Sequence, residues 1–291
     1  MAISIGVFQI VADMRADPAI VAKAAEDLGF HSYWVPEHPI LPAASNSTYT
    51  ADAEDEEPET PDYLWQIPDP FIVLARASAT TSRIRLGCGV CLVPQHHPLI
   101  LANEVASLDH FSGGRVNFGI GAGWNREEAE MLGVDFDHRW TQTKECVAIV
   151  KELWAKDIAE WQGKYYSFSP VRCFPKPVQK PHPPVCFGSS GTPRVFKRVA
   201  EWGDGWMPTI RDLDELTEGC NNLKAACAKV GRDFADVHVS PLVLEGLFRT
   251  KTERDAFAEA GADEIIVWIT QTETDAVLDE LKELADELIE T

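Results

Sequence analysis

The chain has 291 residues, of which 45% are hydrophobic and 25% charged, a composition typical of a globular protein with a sizeable core. Its formal net charge of −20 disfavours binding to nucleic acid or to anionic membrane surfaces. The sequence shows no signal-peptide pattern and no apolar run long enough to span a membrane, so we expect a cytoplasmic protein.

The first elements alternate between strand and helix. A short apolar strand is predicted over residues 3–8, followed by a helix that starts at Asp17-Pro18 and ends at Gly29. Aspartate is a preferred N-cap, proline suits the first helical turn, and glycine commonly ends helices. A second strand is predicted over residues 32–35.

A long irregular segment follows the second strand. Glu37 and His38 stand at the carboxyl end of that strand, and residues 39–69 then contain five prolines without a sustained hydrophobic period. Long loops inside compact domains are usually functional or disordered. We expect this loop to lie over a site, with Tyr63 and Trp65 forming a lid or a pocket wall.

The centre of the sequence predicts a βαβ unit. Apolar runs over residues 84–93 and 116–120 flank an amphipathic helix that ends at Ser112-Gly113-Gly114. Both runs are typical of buried parallel strands. Ligands of such folds bind beyond the carboxyl ends of the strands, which places the chemistry near Pro94 and Trp124.

The second half continues the alternation. A hairpin is predicted over residues 161–168, with Gly163 at its turn, and Asn125 is a predicted N-cap with Glu128 at the third helical position. Eight strands alternating with about eight helices, at this length, favour a (β/α)₈ TIM barrel of the α/β class formed by one domain, residues 1–291. The further strands are predicted at residues 185–187, 205–207, 237–244 and 264–268, and the further helices at residues 139–154, 213–230, 252–260 and 274–289.

The turn after the fifth strand is a candidate anion site. Its backbone N–H groups precede a helix, an arrangement that binds phosphate, although the same pattern also fits a plain strand-to-helix turn. The residues of this turn are Gly188, Ser189, Ser190 and Gly191.

His38 is a candidate proton donor or acceptor, because imidazole titrates near neutral pH and Glu37 stands beside it. A structural hydrogen-bonding role for His38 is the alternative. His96 and His97 are adjacent in sequence, and we expect both to be surface or loop residues.

No metal site is predicted, because the histidines and cysteines lack metal-ligand spacing. The seven cysteines, scattered and odd in number, fit reduced thiols. Cys88 and Cys91 would point to opposite faces of a regular strand, although a bulge at Gly89 would bring them together.

Glycines recur near the ends of the third and fourth strands. Their missing side chains predict a close approach of a planar ring or a phosphate tail to the backbone. These glycines are Gly87, Gly89, Gly119, Gly121 and Gly123.

Six strings, in order along residues 3–210, resemble the bacterial luciferase-like flavin and deazaflavin oxidoreductases. Singly each string is weak, and together they are specific. They are Trp34-Val35-Pro36-Glu37-His38, Arg83-Ile84-Arg85-Leu86-Gly87-Cys88-Gly89-Val90, His97-Pro98-Leu99, Leu108-Asp109-His110-Phe111-Ser112-Gly113-Gly114-Arg115, Gly119-Ile120-Gly121-Ala122-Gly123-Trp124 and Gly203-Asp204-Gly205-Trp206.

The resemblance implies a (β/α)₈ barrel with an insertion after strand four, which binds reduced FMN or the deazaflavin coenzyme F420. By position, Glu37 and His38 would flank the reactive ring, and Gly89-Val90 would support its back through a cis peptide. Gly188, Ser189, Ser190 and Gly191 would hold the coenzyme phosphate. Asn125 lies near the family's polar residue after strand four and would also bind the cofactor.

The branch with the closest resemblance is usually assigned to F420, so we expect hydride transfer between F420 and a small organic substrate. An FMN-dependent monooxygenase that uses dioxygen and a flavin reductase is the first alternative, and a flavin-binding protein without turnover is the second. The resemblance also implies a homodimer.

Overall fold

The computed structural model describes residues 3–47, 49, 60–244 and 246–289, and in these residues eight parallel strands surround a common axis. Three of the strands consist of two segments each. The strands are β1 (Ser4–Phe8), β2 (Ser32–Val35), β3 (Arg85–Cys88 and Cys91–Leu92), β4 (Val116–Gly121), β5 (Val185–Gly188), β6 (Gly205–Met207 and Thr209–Ile210), β7 (His238–Val239 and Leu242–Val243) and β8 (Glu264–Trp268).

The strands pair in chain order from β1 to β8, and β8 pairs with β1 in parallel. Proline residues, which lack an N–H group, separate the two segments of β6 at Pro208 and lie between those of β7 at Pro241. The register continues beyond these breaks, where Thr209 pairs with Leu242. The predicted (β/α)₈ barrel is therefore confirmed.

Helices surround the strands. The first helix begins and ends at the capping residues that the sequence predicted, Asp17 and Gly29. The Asp17 side chain accepts a hydrogen bond from the Ala19 N–H, and Gly29 has a φ of 94°. None of the described helices combines the length and the apolar character that a membrane span needs. The helices are α1 (Pro18–Leu28), α2 (Pro70–Ser78), α3 (Pro98–Ser112), α4 (Arg126–Met131), α5 (Arg139–Ala155), α6 (Pro193–Trp202), α7 (Leu213–Lys229), α8 (Lys251–Ala260) and α9 (Thr274–Leu288).

Between β4 and β5 the chain forms the insertion that the resemblance implied. It contains α4, α5 and an antiparallel hairpin of Ala159–Gln162 and Ser167–Val171, which confirms the predicted hairpin. The carboxylate of Glu145 in α5 accepts hydrogen bonds from the backbone N–H groups of residues 164–166. These bonds attach the turn of the hairpin to α5.

Trp34 fills the barrel interior and corrects the interpretation of two glycines. A Cβ atom at Gly87 would lie 2.1 Å from Trp34 Cε3. One at Gly119 would lie 2.1 Å from the Cys88 backbone oxygen and 3.2 Å from Trp34 Cζ3. The buried indole N–H donates to Ser32 Oγ over 2.6 Å. The planar group next to Gly87 and Gly119 is thus a side chain of the protein rather than a ligand.

Candidate functional site

His38 lies at the carboxyl rim of the barrel, where it contacts Glu128 and Trp124. Its Nδ1 atom is 3.1 Å from both carboxylate oxygens of Glu128, and the Trp124 indole N–H donates to Nε2 over 3.3 Å. The side chains of His38 and Glu128 are 7% and 0% exposed. Because a carboxylate only accepts, Nδ1 carries the proton in this arrangement, which leaves Nε2 as the basic atom.

The start of α4 puts Glu128 in this place. Asn125 is the N-cap, and its side-chain oxygen accepts from the Glu128 N–H over 2.9 Å. Its amide nitrogen donates to Ser45 Oγ, so the buried Asn125 side chain is engaged within the protein at both ends. The predicted capping box is half formed, because the Glu128 carboxylate contacts His38. The sequence pattern did not predict this pairing.

Glu37 points away from His38, into the wall between β2 and β3. Its carboxylate accepts from the Leu92 backbone N–H and lies 2.8 Å from His96 Nε2. His96 was expected to be a surface or loop residue, and it lies in the loop between β3 and α3. Its side chain is nevertheless only 16% exposed and pairs with Glu37. Burial lowers the pKa of His96, but the hydrogen bond and the charge of Glu37 outweigh that effect and raise it above its ordinary value.

Val90 stands in the mouth of the barrel, directly after the cis peptide that joins it to Gly89. A Cβ atom at Gly121 would lie 2.5 Å from Val90 Cγ2, and one at Gly188 would lie 2.1 Å from Val90 Cγ1. These two glycines therefore make room for the Val90 side chain. Val90, packed against these two glycines, forms a small apolar surface at the rim, called the Val90 platform below.

The turn after β5 leads into α6 as predicted. Thr192 is the N-cap, with its side chain accepting from the Val195 N–H, and the Trp206 indole N–H donates to the backbone oxygen of Ser189. This contact fixes the path of the turn from Gly188 to Gly191. Ser190 and Gly191 lie between the end of β5 and the N-cap.

Two basic side chains lie beside this turn. Arg198 of α6 stacks over the Trp140 ring, with its Cζ atom 4.7 Å from the ring centroid. Trp140 in turn stacks on Phe187 of β5, with the rings 5.8 Å apart. Arg139 donates from Nε to the backbone oxygen of Gly123 at the end of β4. Positive charge therefore accumulates between β4 and β5, on a chain whose net charge is −20.

The loop after β2 is attached to the start of α4. The Glu127 carboxylate accepts from Ser45 Oγ, the Asn46 N–H and Ser47 Oγ, at distances of 2.9, 2.8 and 2.6 Å. Tyr49 lies edge-on to Trp124, with the ring centroids 5.3 Å apart. The first part of the loop thus lies over the His38 side of the rim.

The predicted lid residues separate in the structure. The acidic run over residues 52–57 and the rest of residues 50–59 lie outside the described part of the chain. Tyr63 lies edge-on to Trp268 at the end of β8, with the ring centroids 6.5 Å apart, whereas Trp65 is 54% exposed. Tyr63 is therefore the better placed of the two for a pocket wall.

Glu37, Cys91 and His96 bring three ligand atoms within 4.8 Å of one another. The two Glu37 oxygens already accept hydrogen bonds from Leu92 and His96, and burial raises the pKa of the Cys91 thiol well above its ordinary value. The three side chains therefore form a hydrogen-bonded cluster in the wall of the barrel.

The opposite end of the barrel holds a cavity of about 410 Å³. Among its lining residues is Glu26, whose carboxylate accepts from the backbone N–H groups of Ser82, Arg83 and Ile84. These bonds lower the pKa of Glu26 to about 2, against the opposing effect of burial. They tie α1 to the start of β3, which is a structural role.

Comparison with known proteins identifies the family. Residues 16–290 match the model of the luciferase-like monooxygenases. The uncharacterized protein Rv0953c of Mycobacterium tuberculosis is 38% identical over 228 residues, which cover 78% of this chain and 79% of that protein.

The oxygenase component of the flavin-dependent trigonelline monooxygenase of Acinetobacter baylyi is 30% identical over 253 residues, covering 85% of this chain and 62% of that protein. The coenzyme F420 dependent tetrahydromethanopterin reductase of Methanopyrus kandleri superposes with a TM-score of 0.79 over 99% of both chains, at 16% identity. At that identity the likeness shows a shared fold. The chain belongs to the luciferase-like monooxygenase family of enzymes.

Proposed function

We propose that this protein is an F420-dependent oxidoreductase that transfers a hydride between the coenzyme and a small organic substrate. The observation that carries the proposal is the buried His38–Glu128 pair, which presents a basic Nε2 atom at the rim beside the Val90 platform. A base and a platform on adjacent strands are what hydride transfer with a coupled proton transfer requires.

The residues at the rim fit the coenzyme. Val90, seated against Gly121 and Gly188, would support the flat ring, and the turn from Ser189 to Gly191 would hold the phosphate. When bound, F420 supplies the hydride acceptor or donor. The same turn has arginines beside it, so the charge of −20 does not extend to this part of the surface.

His38 would carry the proton of the reaction. Its Nε2 atom accepts the hydroxyl proton of an alcohol substrate during oxidation and returns a proton to a carbonyl oxygen during reduction. Glu128 keeps Nδ1 protonated and stabilises the imidazolium that forms. The Trp124 indole holds Nε2 in place until a substrate oxygen displaces it. The attached loop and Tyr63 would exclude water.

The test is a His38→Ala variant compared with His138→Ala, whose ring is 58% exposed. We expect His38→Ala to lose turnover of an alcohol and ketone panel about 100-fold or more, with F420 affinity retained. His138→Ala should keep both turnover and affinity. Equal turnover in His38→Ala and wild type would remove His38 from the mechanism.

An FMN-dependent monooxygenase is the second candidate, favoured by the likeness to the trigonelline oxygenase component. Parallel titrations with F420 and FMN separate the two. Tight binding of FMN with substrate-dependent oxygen consumption would establish the second candidate and call for a flavin reductase partner. Binding of either ring without turnover across the panel would indicate a flavin-binding protein.

A homodimer, as the resemblance implies, is part of the proposal. Light scattering on the purified protein tests it directly. Twice the mass of the chain is expected, and a monomer mass at all concentrations would contradict it.

A further inference from the structure

Three arginines beside the turn after β5 have no acidic partner in the described part of the chain. Arg139, Arg194 and Arg198 form no ion pair within 4.0 Å there, whereas Lys197 on the same helix lies 3.6 Å from Glu201. Arg139 instead donates to the backbone oxygens of Gly123 and Phe136. Arginines without an ion-pair partner are unexpected on a chain with 46 acidic and 26 basic residues.

The three guanidinium groups lie close enough to affect one another. Burial lowers the pKa of Arg198, and the positive charges of Arg194 and Arg139 lower it further. Burial and the charge of Arg126 likewise lower the pKa of Arg139, whereas the charge of Asp137 acts in the opposite direction. Mutual repulsion of this kind is relieved when an anion binds between the charges.

Arg139, Arg194 and Arg198, called the arginine cluster below, lie close to the end of the turn from Gly188 to Gly191, where α6 begins. Arg194 and Arg198 are four residues apart on α6 and therefore share one face of that helix. Arg198 rests on Trp140, whose neighbour Arg139 reaches across to the end of β4. A ligand that passes the turn at Ser190 would meet these charges next.

We propose that Arg139, Arg194 and Arg198 bind an anionic chain of carboxylates that extends beyond the phosphate of the cofactor. The inference rests on the proposed function, because FMN ends at its phosphate whereas F420 continues into an acidic tail. Guanidinium groups are suited to carboxylates through paired hydrogen bonds. The cluster thereby selects the deazaflavin coenzyme over FMN.

The experiment is a fluorescence titration of wild type, the Arg194→Gln/Arg198→Gln double variant and a Lys197→Gln control. The probes are F420 and the deazaflavin riboside 5′-phosphate, which has the ring and phosphate without the carboxylates. Arg139 is left unchanged because it also supports the backbone at Gly123.

We expect the double variant to lose about tenfold or more in F420 affinity while its affinity for the riboside phosphate changes less than about twofold. The salt dependence of F420 binding should also become shallower, since fewer charges are neutralised. Lys197→Gln should match wild type with both probes.

Equal F420 affinity in the double variant and wild type would overturn the inference, as would equal losses with both probes. Wild type that binds both probes equally well also overturns it and leaves the proposed function standing. Wild type that binds neither probe would instead overturn the proposed function itself.

Discussion

Glu128 is the residue whose role is least visible in the sequence, because an acidic residue in the first turn of a helix ordinarily supports the helix itself. Here its carboxylate is fully buried and contacts His38, 90 positions earlier in the chain. Sequence patterns such as a capping box predict contacts only between residues that are close together in the chain. A pairing of this separation depends on how the segment after β2 and the start of α4 come together at the rim.

A Glu128→Gln variant tests this pairing. We expect turnover to fall about 10- to 100-fold with F420 affinity unchanged, because glutamine can still accept from Nδ1 but lacks the charge that stabilises an imidazolium. Steady-state kinetics and a coenzyme titration measure the two quantities. Glu130→Gln, on an exposed position of the same helix, is the control and should retain wild-type rates. A loss of coenzyme binding in Glu128→Gln would instead indicate a structural role.

The element most altered from its prediction is β3. A continuous strand over residues 84–93 was expected, but the strand consists of two segments, with Gly89 and Val90 between them. The apolar and β-branched residues of the run predicted its burial correctly, whereas the break depends on contacts with other strands. Glu37 of the chain after β2 supplies one of these contacts by accepting from the Leu92 N–H.

The link between Glu37 and His96 should make stability depend on pH. The pKa of His96 is raised in the folded protein, so its contribution is complete below the ordinary value of 6.5 and is lost as pH rises through the raised value. His96→Gln should therefore be less stable than wild type by about 1–3 kcal/mol near pH 6. Urea unfolding should show this difference narrowing toward pH 9. A difference that stays constant over this range would contradict the ion pair.

Over the molecule as a whole, the alternation of strands and helices was enough to predict the barrel and the rim that carries the site. The carboxyl ends of parallel strands meet at one edge, so residues after β2, β3, β4 and β5 were expected together there. The position of Trp34 inside the barrel was not predictable from the sequence. A glycine in a strand indicates that another group approaches the backbone there, but it does not show whether that group is a ligand or a side chain of the protein.

The net charge of −20 and the local arginine cluster predict opposite effects of salt: higher salt should stabilise the folded protein and weaken cofactor binding. Raising NaCl from about 0.05 M to about 0.5 M screens the repulsion among acidic side chains, and we expect the melting temperature to rise by roughly 2–4 °C. The same change should weaken F420 binding, because the arginine cluster attracts anions. Calorimetry and fluorescence titration in the same buffers measure both. Salt effects of equal sign would contradict this separation of charge.

The hydrogen bond from Trp124 to His38 makes the indole an optical probe of the site. Protonation of Nε2 removes the acceptor of that bond, and we expect the charged imidazole, 3.3 Å from the indole nitrogen, to quench the Trp124 emission. The chain has nine tryptophans, so the difference between the emission of wild type and Trp124→Phe isolates the signal. The protonation state of His38 can thus be followed by light in the protein alone, before any substrate is known.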